Sequence, residues 1–147
     1  MKTKILVSLI AAGLLAACSK DKYNTKPLLV FKSVSNNVVP NGGTLRFEFE
    51  LFDKEGDISD TFYIKKIRIN KLTKPTIRDN VKLAFPKVPN TSKGIVELNL
   101  TYQNYLISAI NPGNPAQNDT LIFKFAIRDK EKNVSDTVTS DPIVIIR

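Results

Sequence analysis

The 147-residue chain has no histidine, no tryptophan and a single cysteine. Without an imidazole there is no Ser-His-Asp or Cys-His nucleophile pair, no histidine general base and no histidine-ligated zinc, iron or copper. One thiol makes neither an intramolecular disulfide nor a thiolate cluster. Charged residues, at 24%, are too few for a disordered polyelectrolyte, and a hydrophobic share of 42% is ordinary for a chain that buries a core. What remains is one small domain in which carboxylates are the main candidates for site chemistry.

The cysteine has a particular setting. Lys2 and Lys4 precede an uninterrupted apolar and small run from Ile5 to Ala17, which ends at Cys18. These thirteen residues suit the apolar region of a secretory signal, whereas a membrane-spanning helix takes about 20. Leu15-Ala16-Ala17-Cys18 resembles the lipobox of bacterial lipoproteins. The resemblance implies that residues 1–17 are removed and that Cys18 becomes a lipidated first residue, each buried methylene contributing about 0.8 kcal/mol to anchoring. An ordinary cleaved signal with an incidental cysteine is the plainer alternative. Residues 18–27 are polar and aperiodic and read as a tether, leaving 28–147 as the folded domain. Ser19, in place of Asp, resembles the pattern of lipoproteins sent to an outer membrane. The Lys/Asp-rich stretch behind it is similar to surface-export signals of Bacteroidota lipoproteins, which usually carry consecutive acids where this chain has Asp21 alone. Periplasmic and surface-facing locations therefore both stay open.

From Leu28 onward, apolar residues recur with period two. Leu45, Phe47, Phe49 and Leu51 form one such set, Val96, Leu98, Leu100 and Tyr102 a second, and Leu121, Phe123, Phe125 and Ile127 a third. Each predicts a half-buried strand. Leu28–Val34, Phe62–Leu72 and Ile143–Ile146 add further strand-like runs; in the second, a change of parity at Lys65-Lys66 predicts a β-bulge that keeps Phe62, Ile64, Ile67 and Ile69 on one face. Turn signals fall at 41–43, 54–57, 86–94 and 111–115, and 102–110 has room for one or two helical turns. About seven strands separated by turns predict an all-β, immunoglobulin-like antiparallel sandwich, akin to the fibronectin III and cadherin-like group. A small β-barrel is the alternative.

Segments 47–61 and 123–137 align without gaps, 76 residues apart, and are identical at eight positions: Phe, Phe, Asp, Lys, Glu, Ser, Asp and Thr. In an immunoglobulin-like topology both turns lie at one pole of the sandwich. Asp53 and Asp129 are placed to close Asx turns, Gly56 to supply a positive φ, and Asn133 to tolerate the left-handed region near the matching place. Turn chemistry accounts for these residues on its own. A sharper expectation is a hard-cation site: Asp53, Glu55 and Asp57 resemble Asp-x-Asp-Gly-Asp calcium loops, with Asp129, Glu131 and Asp136 available to complete the shell. Exposed turn acids lack the burial a general acid needs, which argues against glycoside hydrolysis.

Tyr23, Phe52, Tyr63 and Tyr105 are the aromatic residues expected at the surface, where coplanar rings would bind sugars. Cleavage before Cys18 would remove Lys2 and Lys4 and lower the side-chain charge from +8 to +6, with Lys65, Lys66, Arg68, Lys71, Lys74, Arg78, Lys82, Lys87 and Lys93 making the middle third basic. For an exported protein this favours acidic polysaccharide or lipid headgroups over nucleic acid. The chain is similar to small Bacteroidota lipoproteins on its lipobox and on the acidic turn after a Phe-rich strand. That resemblance implies a non-enzymatic envelope module, anchored by Cys18, that binds an envelope protein or, alternatively, a glycan as accessory to polysaccharide uptake. No cofactor is expected beyond a calcium ion at the acidic turns.

Overall fold

The computed structural model describes residues 25–58, 60–70, 79–85, 91–107 and 118–147. The signal run, Cys18, Tyr23, residues 71–78 and 86–90 and the turn expected at 111–115 lie outside the described residues. Among the described residues there are nine strands: β1 (Leu28–Val34), β2 (Val38–Val39), β3 (Thr44–Phe52), β4 (Thr61–Arg68), β5 (Asn80–Ala84), β6 (Lys93–Thr101), β7 (Asp119–Arg128), β8 (Val138–Thr139) and β9 (Ile143–Ile145). They form two sheets, β1-β3-β6 and β2-β9-β7-β4-β5, with β8 pairing beside β7. Seven of the nine match the expected count; β2 and β8 are two-residue segments. The leading segment starts in the first sheet as β1 and continues in the second as β2, whose pairing with β9 is parallel. The result is an all-β sandwich, not a closed barrel, with the order of an immunoglobulin-like fold.

The alternating residues of β3 and β7 meet across the gap between the sheets. Phe47 lies 5.1 Å from Phe123 and 4.8 Å from Phe125, and Phe49 lies 4.9 Å from Phe125, ring centre to ring centre. All four rings are essentially inaccessible to solvent. The repeated Phe-x-Phe is thus one core cluster built from both sheets, worth about 1.5–3 kcal/mol per ring from burial alone. Tyr102–Leu106 forms one helical turn after β6, and its Tyr102 hydroxyl donates to the Ile146 carbonyl at 2.9 Å.

The bulge expected in β4 is absent. Its register with β7 runs unbroken from Thr61↔Arg128 to Arg68↔Leu121; the irregularity falls in β1, between Phe31 and Ser33. Because the parity does not change, Lys66 and Arg68 point inward, and Ile69 beyond the strand is exposed. Inward cations require counter-charges. Arg68 bonds Asp79 at 3.1 Å and Asp119 at 2.9 Å, and Arg147 reaches Asp119 at 2.8 Å. Lys66 lies 3.7 Å from Asp79 and donates to the Tyr105 carbonyl. This buried ionic cluster ties β4, β7 and the chain end together, opposite the end where β3 turns into β4.

Candidate functional site

The two echoing turns come together at one pole, where Lys130 N–H donates to the Asp57 carbonyl at 3.2 Å. Asp53, buried, accepts from Asp57 N–H at 2.9 Å and more weakly from Glu55 N–H at 3.4 Å. Asp129, fully buried, accepts from the backbone N–H and the side-chain amide of Asn133 at 2.8 and 3.0 Å. Both carboxylates are therefore buried, contrary to the exposure expected of turn acids, because each is engaged by the N–H groups of its own turn. Gly56 takes the expected positive φ, +74°, but the matching left-handed residue is Lys132 at +77° rather than Asn133, whose amide serves Asp129 instead.

Of the six calcium candidates, Asp53, Glu55, Asp57, Asp129 and Glu131 share this pole electrostatically. Loss of hydration, then the charges of Glu131, Asp57, Asp53 and Asp129, push the Glu55 carboxyl above its ordinary range. Asp57 is pushed up as well, first by loss of hydration and then by the adjoining Asp53 carboxyl. One Asp57 oxygen, Oδ1, is buried without a hydrogen-bond partner. Asp136 instead forms an exposed ion pair with Lys26, just before β1. Among the described residues, no group of three or more His, Cys, Asp or Glu is gathered closely enough to hold a metal ion. Asp60, next to this pole, is held below the usual carboxylate range by its bond to Arg128 at 2.6 Å and by Lys132.

A second feature lies on the outer face of β5, β4, β7 and β8. Strand alternation turns Tyr63, Lys65, Lys82, Lys124 and Ala126 outward, while their neighbours Phe62, Ile64 and Phe125 fill the core. The register sets Lys65 directly opposite Lys124, and Tyr63 between Lys82 and Ala126. Ala126 offers only a methyl group there, so an open groove of about 190 Å3 forms along the strands, with Thr137 on its far side. Lys82 sits 5.8 Å from the centre of the Tyr63 ring, as does Arg128. Arg128 is neutralised by Asp60, but no carboxylate among the described residues pairs with Lys65, Lys82 or Lys124. The opposite face differs: Glu50 is drawn below its usual range chiefly by its bond to Lys93, with help from Lys32, and Glu97 pairs with Arg46.

The expected surface aromatics do not make one platform. Phe52 lies on the first sheet with Lys93 4.9 Å from its ring centre, Tyr63 lies on the second, and Tyr105 packs against the core. Composition marked the middle third as basic, but only strand parity separates the outward Lys65 and Lys82 from the inward Lys66 and Arg68. The opposition of Lys65 to Lys124 joins residues 59 positions apart and is visible only once β4 and β7 are paired.

No protein-family profile matches the chain, and no curated protein matches it. Among solved structures it is similar to a beta-glucosidase from Listeria innocua in complex with gluconolactone, at 12% identity and a TM-score of 0.44, covering 83% of this chain and 16% of that one. It is also similar to a beta-glucosidase from Kluyveromyces marxianus in complex with glucose, at 10% identity and a TM-score of 0.41, covering 83% of this chain and 15% of that one. The chain thus spans about a sixth of the length of either enzyme chain, and a likeness this distant carries nothing about activity.

Proposed function

We propose that the chain is a lipid-anchored cell-envelope protein of the small Bacteroidota lipoprotein type, whose sandwich serves as a non-catalytic binding module on the outer membrane. The observation that carries the binding half is the open groove of unpaired lysines on a solvent-facing sheet. Like charges placed directly opposite one another on a sheet weaken it, and a bound anion would offset that repulsion. The anchoring half rests on the dibasic start, the thirteen-residue apolar run and the lipobox-like residues ending at Cys18. A second reading, an accessory glycan-binding lipoprotein of a polysaccharide-uptake system, draws on the same groove.

Intact-mass spectrometry of detergent-extracted protein tests the anchor. The expected product lacks residues 1–17 and carries a diacylglyceryl group on Cys18. A soluble product with an unmodified cysteine would overturn it.

A further inference from the structure

Resting on the reading of this chain as a binding module, we infer that the groove takes the carboxylate-bearing units of an acidic polysaccharide. Lys65 and Lys124 face each other across β4 and β7, and Lys82 stands one strand further on, beside Tyr63. Three lysines on adjacent strands, whose backbones lie about 5 Å apart, concentrate positive charge over one short stretch of the sheet. The groove is shallow and open along the strands, which suits a segment of chain and not an enclosed small molecule. Its floor, between Tyr63 and Ala126, is apolar, while Asn80 opposite Lys65, Thr137 at the far wall and Thr139 opposite Lys124 supply neutral hydrogen-bonding groups. Neutral polar groups beside a small cluster of cations match a ligand that carries many hydroxyls and regularly spaced negative charges.

The test uses the full-length, detergent-extracted protein in affinity electrophoresis through gels containing polygalacturonate. Retardation is expected; the Lys65→Ala, Lys124→Ala double variant should need at least tenfold more polymer for the same retardation. A Lys32→Ala, Lys93→Ala variant, altered on the opposite face, should match the wild type. Because Lys65 and Lys124 repel, their removal is expected to leave the melting temperature equal or higher, so lost binding cannot be ascribed to unfolding. Methyl-esterified polygalacturonate, which lacks the charge, should not retard the protein. Absence of retardation, equal retardation by the ester, or equal loss in both double variants would overturn the proposal. Preference for dextran sulfate, single-stranded DNA or phosphatidylglycerol vesicles over polygalacturonate would also overturn it. A lipidated protein that fails to bind refutes the groove reading alone, whereas binding by a protein unmodified at Cys18 refutes only the anchor.

Discussion

Asp53 and Asp129 occupy the same place in two copies of one turn, yet the residues around them have diverged. In the first copy Asp57 folds back toward Asp53, and an Asp57 oxygen is left without a partner; in the second, the aligned Asn133 gives Asp129 two donors. The first turn therefore holds a carboxyl whose pKa is raised, chiefly by loss of hydration and then by Asp53. A raised folded-state pKa means that the folded chain holds the proton more tightly than the unfolded one, so stability falls as pH rises through the folded value. Asp57→Asn supplies an amide donor to Asp53 and removes the repulsion. It is expected to raise the melting temperature by about 1–2 °C at pH 7, a gain that shrinks as the pH is lowered toward the unfolded carboxyl range, near 3.9. Calorimetric melts at pH 7, 5 and 4 measure it. Since Asp53 and Asp129 are engaged by backbone N–H groups, millimolar calcium is expected to move the wild-type transition by less than about 1 °C; a shift of several degrees would reveal a site there. At Gly56, a Cβ would meet the Thr91 backbone at 3.4 Å and force an L side chain into φ +74°. Gly56→Ala is expected to cost about 1–2 kcal/mol in urea unfolding.

At the scale of the element, β4 illustrates where alternation in the sequence suffices and where it does not. The strand itself, and its apolar Phe62 and Ile64 face, follow from period two. The second half is legible only in part, because by local pattern alone keeping Ile67 and Ile69 inside costs less than burying Lys66 and Arg68 unpaired. The unbroken register with β7 makes the opposite choice, and three partners outside the strand make it tolerable: Asp79, Asp119 and the Tyr105 carbonyl. No local pattern announces such partners. Burial nonetheless lowers the Lys66 pKa to about 8, against the attraction of Asp79. A lysine whose folded pKa lies below its unfolded value opposes folding while it is charged. Stability should accordingly rise as pH increases from about 8 toward the unfolded value near 10.5. Melting temperatures of the wild type and of Lys66→Met between pH 7 and 10 check this, with the rise expected in the wild type and absent from the variant. Asp119→Asn would leave the Arg68 and Arg147 guanidinium groups without their shared carboxylate, and urea unfolding should show a loss of about 3 kcal/mol. The echoing turns were legible because their identities lie in one continuous stretch; that Ile58 plugs the core while its counterpart Val134 is exposed was not, since burial depends on the neighbouring sheet.

In the whole molecule, one apolar cluster fills the space between the two sheets. Phe125 makes ring contacts with Phe47, Phe49, Phe62 and Phe123, and so joins residues of both layers. Phe125→Ala is expected to cost about 3–5 kcal/mol, a large part of what keeps a domain of this size folded. Circular dichroism and tyrosine fluorescence should still report a single coincident transition, because among the described residues each sheet packs its apolar face only against the other. The Phe-rich pattern made this core predictable, whereas the sorting of charge between the outer faces depended on strand pairing that spans most of the chain.

The split of the leading segment between the sheets has a mechanical consequence. β1 is held by six residue pairings to β3, and β2 by two to β9, with the chain entering at the end of β1 nearest Asp53. A tug on that entry directed along the strands would load these pairings together, in shear, instead of peeling them apart singly. If the proposed anchor at Cys18 holds the domain by its leading end, such a load would meet β1 and its six pairings first.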